Sequence, residues 1–301
     1  MQPISNFSEL VGHLLAENIR KKIAVVCADD PETEYAVTRA LDEGFADFVM
    51  VGDADRLKAY PALQNYADRI EIIDIKDSDE AARFAVSMAR EKRVDAIMKG
   101  IINTDNLLHA ILNKETGILP KGALLTHLTA AQIPSYHKLL FFSDAAVIPY
   151  PTLEQRVATI LYDLSTLRRF GIAEPKVALI HFTEKVNPKF PNSVDYRTIV
   201  EMSDKGEFGK AIIAGPMDAK TACDRHSAQV KHIASPVCGD ADLMIFPNIE
   251  SGNTFYKTIT LFAKAETAGM LQGPEVPVIL PSRSDSGPSK FYSLAMAVLN
   301  A

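Results

Sequence analysis

A lysine closing an apolar run marks the stretch of the chain best suited to chemistry, VDAIMKGIINTDNLLHAILNK from Val94 to Lys114. Val94 to Met98 is a short apolar segment of the kind buried in a parallel sheet. From Asp105 on, Leu107, Leu108, Ile111 and Leu112 recur at helical spacing. Between the two lie Lys99, Gly100, Asn103 and Thr104, so the run reads as strand, tight turn and helix start, with a cation at the strand's carboxyl end. N–H groups at a helix N-terminus favour an anion, and a nearby lysine adds a point charge. A plainer account fits the same residues: Asn103 or Thr104 caps the helix and Lys99 is solvated. The turn is neither a Walker loop nor a G-x-G-x-x-G.

Three more runs carry polar chemistry. PVILPSRSDSGPS, Pro277 to Ser289, ends an apolar strand and delivers Ser282, Arg283, Ser284 and Asp285 ahead of a last helix. A hydroxyl, a guanidinium and a carboxylate in four positions suit acyl or phosphoryl chemistry, because arginine can hold a phosphate through two parallel hydrogen bonds. The same residues also make an ordinary turn in which Asp285 or Ser289 caps the helix. GDADLMIFPNIESGNTFYK, Gly239 to Lys257, reads as a buried strand, a turn at Glu250–Asn253 and a helix from Thr254 carrying Tyr256 and Lys257. HFTEKVNPKFPNS, His181 to Ser193, is a polar loop after a strand, with Lys185 and Lys189. None of these is a nucleophile elbow.

These loops need elements to hold them, and the chain supplies an alternating set. Helices are expected at Phe7–Ile19, Pro31–Gly44, Arg56–Leu63 and Ser78–Glu91, with strands at Lys21–Ala28, Asp47–Gly52 and Arg69–Ile75. That spacing predicts βαβ units in a doubly wound, mostly parallel sheet. Leu124–Ile133 and Leu139–Val147 read as two strands joined by a short turn at Pro134, and PYPTLEQ (Pro149–Gln155) as a linker. A second alternating set follows: a helix to Arg169, strands at Lys176–Phe182, Ala211–Ala214 and Leu243–Phe246, and helices near Tyr196–Met202, Thr221–Val230 and Thr254–Lys264. Short strands at Glu266–Leu271 and Pro277–Leu280 and a helix at Phe291–Leu299 end the chain. The expected division is a first domain of residues 1–147 plus 288–301 and a second of 148–287, with a cleft between them.

Composition excludes some classes. With 301 residues, 47% of them hydrophobic, the chain can bury a sizeable core. A net charge of −6 argues against a general nucleic-acid binder but permits a local basic pocket. No stretch has the apolar length of a membrane span, and the first helix is charged rather than signal-like. Cys27, Cys223 and Cys238 are few, odd in number and widely separated, which points to a reduced, cytoplasmic protein. The seven histidines show no metal-binding spacing, so no metal site is expected.

Taken together, MKGIINTDNLLHAILNK, EKVNPKFP, GDADLMIFPNIESGNTFYK and VILPSRSDS resemble the phosphate acetyltransferase and phosphate butyryltransferase family, in order and spacing from about Lys21 to the C-terminus. The form of the motifs is closer to the butyryl branch. The resemblance implies an isocitrate-dehydrogenase-like fold, a homo-oligomer, and the exchange of acyl-CoA and inorganic phosphate with acyl phosphate and CoA, with no metal or redox cofactor. Ser282 and Arg283 match the family's pair beside the CoA thiol and the phosphate. Gly100, Asn103 and Thr104 match its phosphate-binding turn, with Lys99 and Lys185 as further phosphate contacts. Asn253, Tyr256 and Lys257 are the expected CoA contacts. Two positions depart from the pattern. His109 stands where the family often has an arginine on the phosphate side. The acetyl branch's later aspartate is absent from Gly287–Lys290, which leaves Asp285 as the candidate base. No residue stands out as an activated covalent nucleophile, so direct transfer in a ternary complex is expected. Two rival readings remain at this stage. One is a metal- and NAD-dependent dehydrogenase of the same fold, with Asp240 and Asp242 as its acidic pair. The other is a non-catalytic CoA-binding homologue.

Overall fold

The computed structural model describes residues 2–282 and 285–301. In chain order its strands are β1 (Lys21–Val26), β2 (Ala46–Gly52), β3 (Ile70–Asp74), β4 (Ala96–Lys99), β5 (Thr126–Gln132), β6 (Leu140–Ser143), β7 (Lys176–Ile180), β8 (Ile212–Met217), β9 (Leu243–Ile245), β10 (Glu266–Gln272) and β11 (Val278–Ile279). They fall in two compact units, one of Phe7–Leu125 with Thr267–Ala301, the other of Thr126–Glu266 with the residues up to Asn6.

In the first unit the strands run in the order β3-β2-β1-β4-β11-β10. β1 is parallel to β2 and β4, β2 to β3, and β4 to β11, while β10 lies antiparallel to β11. Local sequence explains the helices between them. Pro31–Glu43 has proline in its first turn, an Asp30 side chain that accepts from the Thr33 N–H at 2.9 Å, and a left-handed Gly44 at its end. Ser78–Arg90 is capped by Asp77 and turns Ala81, Ala82, Ala85, Val86, Met88 and Ala89 inward. The last helix, Gly287–Asn300, is capped by Ser286 and is buried on every side from Lys290 to Leu299. It stacks Tyr292 on Phe7 at 4.5 Å and sets Phe291 against Phe45 at 5.6 Å. Lys290 follows it into the core and donates to Asp30 at 2.7 Å and to Thr33 at 3.0 Å. Burial works against the ionised Asp30, but the bonds from Lys290 and Thr33 outweigh it and hold the carboxyl below its usual range.

The second unit orders its strands β5-β6-β9-β7-β8. β5 and β6 form an antiparallel pair, and the remaining neighbours are parallel. A capping box of Thr152 and Gln155 starts the Leu153–Arg169 helix.

The units divide at residues 125/126 and 266/267, whereas the sequence suggested 147/148 and 287/288. The hairpin of β5 and β6 belongs with the second unit because Phe141–Ser143 ladder onto Leu243–Ile245 and Phe142 packs edge-on against Phe246 and Phe255. Residues after Glu266 belong with the first because Val278 and Ile279 pair with Ile97 and Met98. Two expected helices are each split in two: Arg56–Leu63 becomes Ala54–Leu57 and Pro61–Gln64, and Thr221–Val230 becomes Ala219–Cys223 and Arg225–Val230, with Asp224 extended between them. Among the described residues no helix is long and apolar enough to cross a membrane.

Candidate active site

The pairing of β4 with β11 does most to assemble the site. Ile97 lies opposite Val278 and Met98 opposite Ile279, in parallel, so the two strands end at the same level and their following loops meet. In parallel sheets ligands sit at these carboxyl ends, where the strand order reverses. β1, whose crossover runs one way to β2, adjoins β4 at such a reversal. On the other side of β4, between its following loop and that of β11, opens a cavity of about 440 Å³ lined by Lys99, Asn103, Thr104, Asp105, Asn106, Pro281 and Ser282. Lys99, Asn103, Thr104 and Ser282, read from sequence as two separate anion-tolerant loops, thus share one pocket.

Lys99 is only 2% exposed and donates to the Gly100 carbonyl at 3.1 Å, which rules out the solvated alternative. Gly100 does not line the cavity; its part is in the backbone. Its N–H bonds to Val26 O at 2.8 Å, the next N–H bonds to Cys27 O at 2.8 Å, and a Cβ here would stand 2.0 Å from that Cys27 oxygen. Only glycine lets the turn lie this close to the end of β1. Asn103 is the N-cap of the Thr104–Ile111 helix but makes no side-chain capping bond. The helix's first turn faces the cavity with Thr104, Asp105 and Asn106, and Asn106 is anchored to Asp79.

Ser282 and Asp285 bind each other. The Asp285 carboxylate accepts from the Ser282 N–H at 2.8 Å, and the Asp285 N–H donates to the Ser282 carbonyl at 3.0 Å. Arg283 lies outside the described residues. Asp285 does not cap the last helix, a part taken by Ser286.

The other sequence candidates fall elsewhere. His109 is exposed in the last turn of its helix and does not line the cavity. Lys185, Asn253, Tyr256 and Lys257 all belong to the second unit. Lys185 is exposed on the loop after β7. The helix carrying the other three begins at Ile249, capped by Asn248, and not at Thr254. Glu250–Asn253 is therefore its first turn. Gly252 serves close packing, since a Cβ there would meet Asp144 O at 2.3 Å. Asn253 donates to Ala145 O at 3.0 Å, Tyr256 packs on the unit's core, and the Lys257 ammonium sits 4.6 Å from the Tyr256 ring centre.

Sequence reasoning passed over a neighbouring hollow of about 270 Å³, which shares Asn103 and is lined by Cys27, Asp29, Asp53, Arg56, Lys76 and Ser78 among others. Arg56 is held there by Asp29 at 3.1 Å. Burial, reinforced by Asp29, pushes the Cys27 thiol up to about 11, so it stays protonated at neutral pH. Asp29, three residues beyond the end of β1, was the available signal.

The acidic pair of the dehydrogenase reading is already committed to cations. Asp240 is paired with Lys138, Lys176 and His137, and Asp242 with Lys138 at 2.6 Å and the Lys176 N–H at 2.8 Å. Burial opposes the ionised Asp240, yet the bonds from Lys176, Lys138 and His137 hold its carboxyl far below the usual range. Among the described residues no group of three or more His, Cys, Asp or Glu is placed to hold a metal ion.

The mixed α/β fold brings a buried lysine, a helix N-terminus and a serine turn together at strand ends, an arrangement whose chemistry suits a small anion. The chain belongs to the phosphate acetyl/butaryl transferase family, whose model matches residues 78–298. It is 34% identical over 300 residues to the phosphate butyryltransferase of Clostridium acetobutylicum, covering 99% of each chain. It is also 34% identical to the phosphate acetyltransferase of Thermotoga maritima, over 95% of this chain and 97% of the other. Among solved structures, a branched-chain phosphotransacylase from Enterococcus faecalis superposes with a TM-score of 0.80 at 28% identity, covering 92% of this chain and 98% of that one.

Proposed function

We propose that the protein exchanges a short acyl group between coenzyme A and phosphate, acyl-CoA plus phosphate giving acyl phosphate plus CoA, by direct transfer in a ternary complex. The observation that carries this reading is the meeting of Lys99, the Thr104 helix start and Ser282 in one cavity. Family membership and relatives named for acetyl and butyryl transfer support it. In the forward direction a phosphate oxygen attacks the thioester carbonyl, the C–S bond breaks, and the sulfur leaves as thiolate or takes up a proton.

Magnitudes decide which residues matter. Ionising a thiol of ordinary pKa near 8.5 at pH 7 costs only about 2 kcal/mol. Holding two reactants in line supplies about 7–11 kcal/mol, and donors to the tetrahedral oxyanion about 2.7–4 kcal/mol more. Positioning outweighs base strength. In this reading Lys99, Arg283 and the N–H groups at Thr104 hold the phosphate, with Gly100 shaping their turn and Asn103 and Lys185 as further contacts. Ser282 attends the thiol, Asp285 is the nearest carboxylate for proton transfer, and Asn253, Tyr256 and Lys257 serve the coenzyme. His109, exposed, is the weakest of the assigned contacts. The two-domain, isocitrate-dehydrogenase-like class, a homo-oligomeric state and a cytoplasmic site of action belong to the same proposal.

The test is steady-state kinetics on acetyl-, propionyl- and butyryl-CoA with phosphate, alongside arsenate-dependent CoA release. Intersecting initial-rate lines are expected. Parallel lines would indicate a covalent intermediate, and NAD reduction without CoA release would overturn the reading. CoA binding with no turnover on any of the three would leave a non-catalytic homologue.

A further inference from the structure

The second unit has an apolar pocket that none of the assigned residues lines. It holds about 470 Å³ at the carboxyl ends of β7 and β9, bounded by Ile180, His181, Phe182, Lys189, Phe190 and Phe246 together with the start of the Pro191–Asp204 helix. Its volume is in the range of small-molecule sites, far beyond what a four-carbon acyl chain fills.

The rings are arranged as a corner. Phe182 and Phe190 stand nearly perpendicular, at 83° and 4.9 Å between centres, and His181 lies 4.5 Å from Phe182. Phe182 is 69% exposed and Phe190 39%, unusual for phenylalanines beside a strand end. His181 is 7% exposed; its Nδ1 is occupied by Thr183, while Nε2 has no hydrogen-bond partner among the described residues. A planar heteroaromatic ring fits such a corner, stacking on one phenyl face, meeting the other edge-on and bonding to the imidazole.

The rim is built for negative charge. Lys189 lines it, and the Pro191–Asp204 helix starts there with no acidic residue in its first turn and no side-chain cap. The walls are fixed from behind by Arg156, 2% exposed, which donates to Phe246 O at 3.3 Å, Pro247 O at 2.8 Å and Asn192 Oδ1 at 2.7 Å. Arg156 is a positioning residue for the pocket. It ties the β9 loop to the helix start.

We infer that this pocket binds a phosphorylated adenosine, its base in the Phe182–Phe190 corner and a phosphate toward Lys189. Two sources offer that chemistry: the adenosine end of coenzyme A, which rests on the acyltransfer reading, and a free adenine nucleotide, which does not.

The experiment is calorimetric titration of the full-length protein with adenosine 3′,5′-bisphosphate. Phe190→Ala should weaken binding about tenfold, since base–aromatic stacking is lost. Lys189→Ala should weaken the bisphosphate but leave adenosine unchanged, and should flatten the salt dependence. Phe190→Leu and an unchanged melting temperature guard against a folding defect. Displacement of the probe by CoA but not by pantetheine assigns the site to the coenzyme, and no displacement by CoA assigns it to a free nucleotide; both uphold the site. Absence of binding at millimolar probe overturns it, as does binding indifferent to Phe190 and Lys189. A decanoate that binds there in place of the nucleotide also overturns it. Acyl transfer is assayed separately. Turnover without probe binding removes this site alone, and probe binding without turnover removes only the acyltransfer reading.

Discussion

Asp285 holds Ser282 by two reciprocal bonds, its carboxylate on the Ser282 N–H at 2.8 Å and its own N–H on the Ser282 carbonyl at 3.0 Å. The carboxylate nearest the proposed thiol site is thus a clamp on the serine's backbone. An asparagine keeps one oxygen to accept the same bond. Asp285→Asn should therefore lower kcat modestly, within about tenfold, while Arg283→Ala should lower it by orders of magnitude. Steady-state assays of the two variants check this. If Asp285→Asn lost as much as Arg283→Ala, base catalysis would outweigh positioning.

Lys99 is a second discriminating position, because its charge is buried beside the cavity. Burying an ammonium carries a desolvation cost that a methionine of similar length does not. Lys99→Met should cut kcat/KM for phosphate by about a hundredfold without lowering the melting temperature. A loss of stability in step with activity would make the lysine structural.

Gly100 offers the opposite pattern. A Cβ 2.0 Å from the Cys27 oxygen forces β1 and the turn apart. Gly100→Ala should destabilise the protein by about 1–3 kcal/mol or more and shift the phosphate site with it. Urea unfolding and the KM for phosphate measure the two effects together. A fully stable variant would contradict the close approach.

A fourth test is of pH. Asp163 is completely buried, and burial, with the Asp144 charge adding to it and a Ser143 hydrogen bond opposing it, raises its carboxyl well above the usual range. The native state therefore keeps a proton that the unfolded chain releases above about pH 4. The stability from this group is complete below that pH and is lost as pH rises toward the folded value. Asp163→Asn should flatten the decline, and the variant should be at least as stable as the parent at pH 8. Urea melts at pH 5 and pH 8 decide it; an unchanged slope would exclude the carboxyl.

Much of this was legible in the residues. The strand–helix rhythm of the first unit follows from apolar runs such as Ile23–Val26 and from caps at Asp30 and Asp77, which declare themselves locally. The strand, turn and helix from Ala96 to Ile111 could be read for the same reason. What could not be read depends on partners distant in sequence. Gly252 and Asn253 look like a turn, but Gly252 is a helix residue pressed on Asp144 O. Nothing near Lys99 announces its burial, at the end of a strand flanked by β1 and by β11, which arrives from far along the chain. The corner of Phe182 and Phe190 was hidden because both phenylalanines sit in a run that reads as a polar loop.

The first unit is sewn from both ends of the chain. Until Gly287–Asn300 has left the ribosome, Phe7, Phe45 and Asp30 lack the ring and ammonium partners that cover them. A nascent chain halted near residue 266 would bear an open-faced sheet, a surface that invites chaperones and self-association. Synthesis must therefore pass residue 300 before this half of the molecule can close.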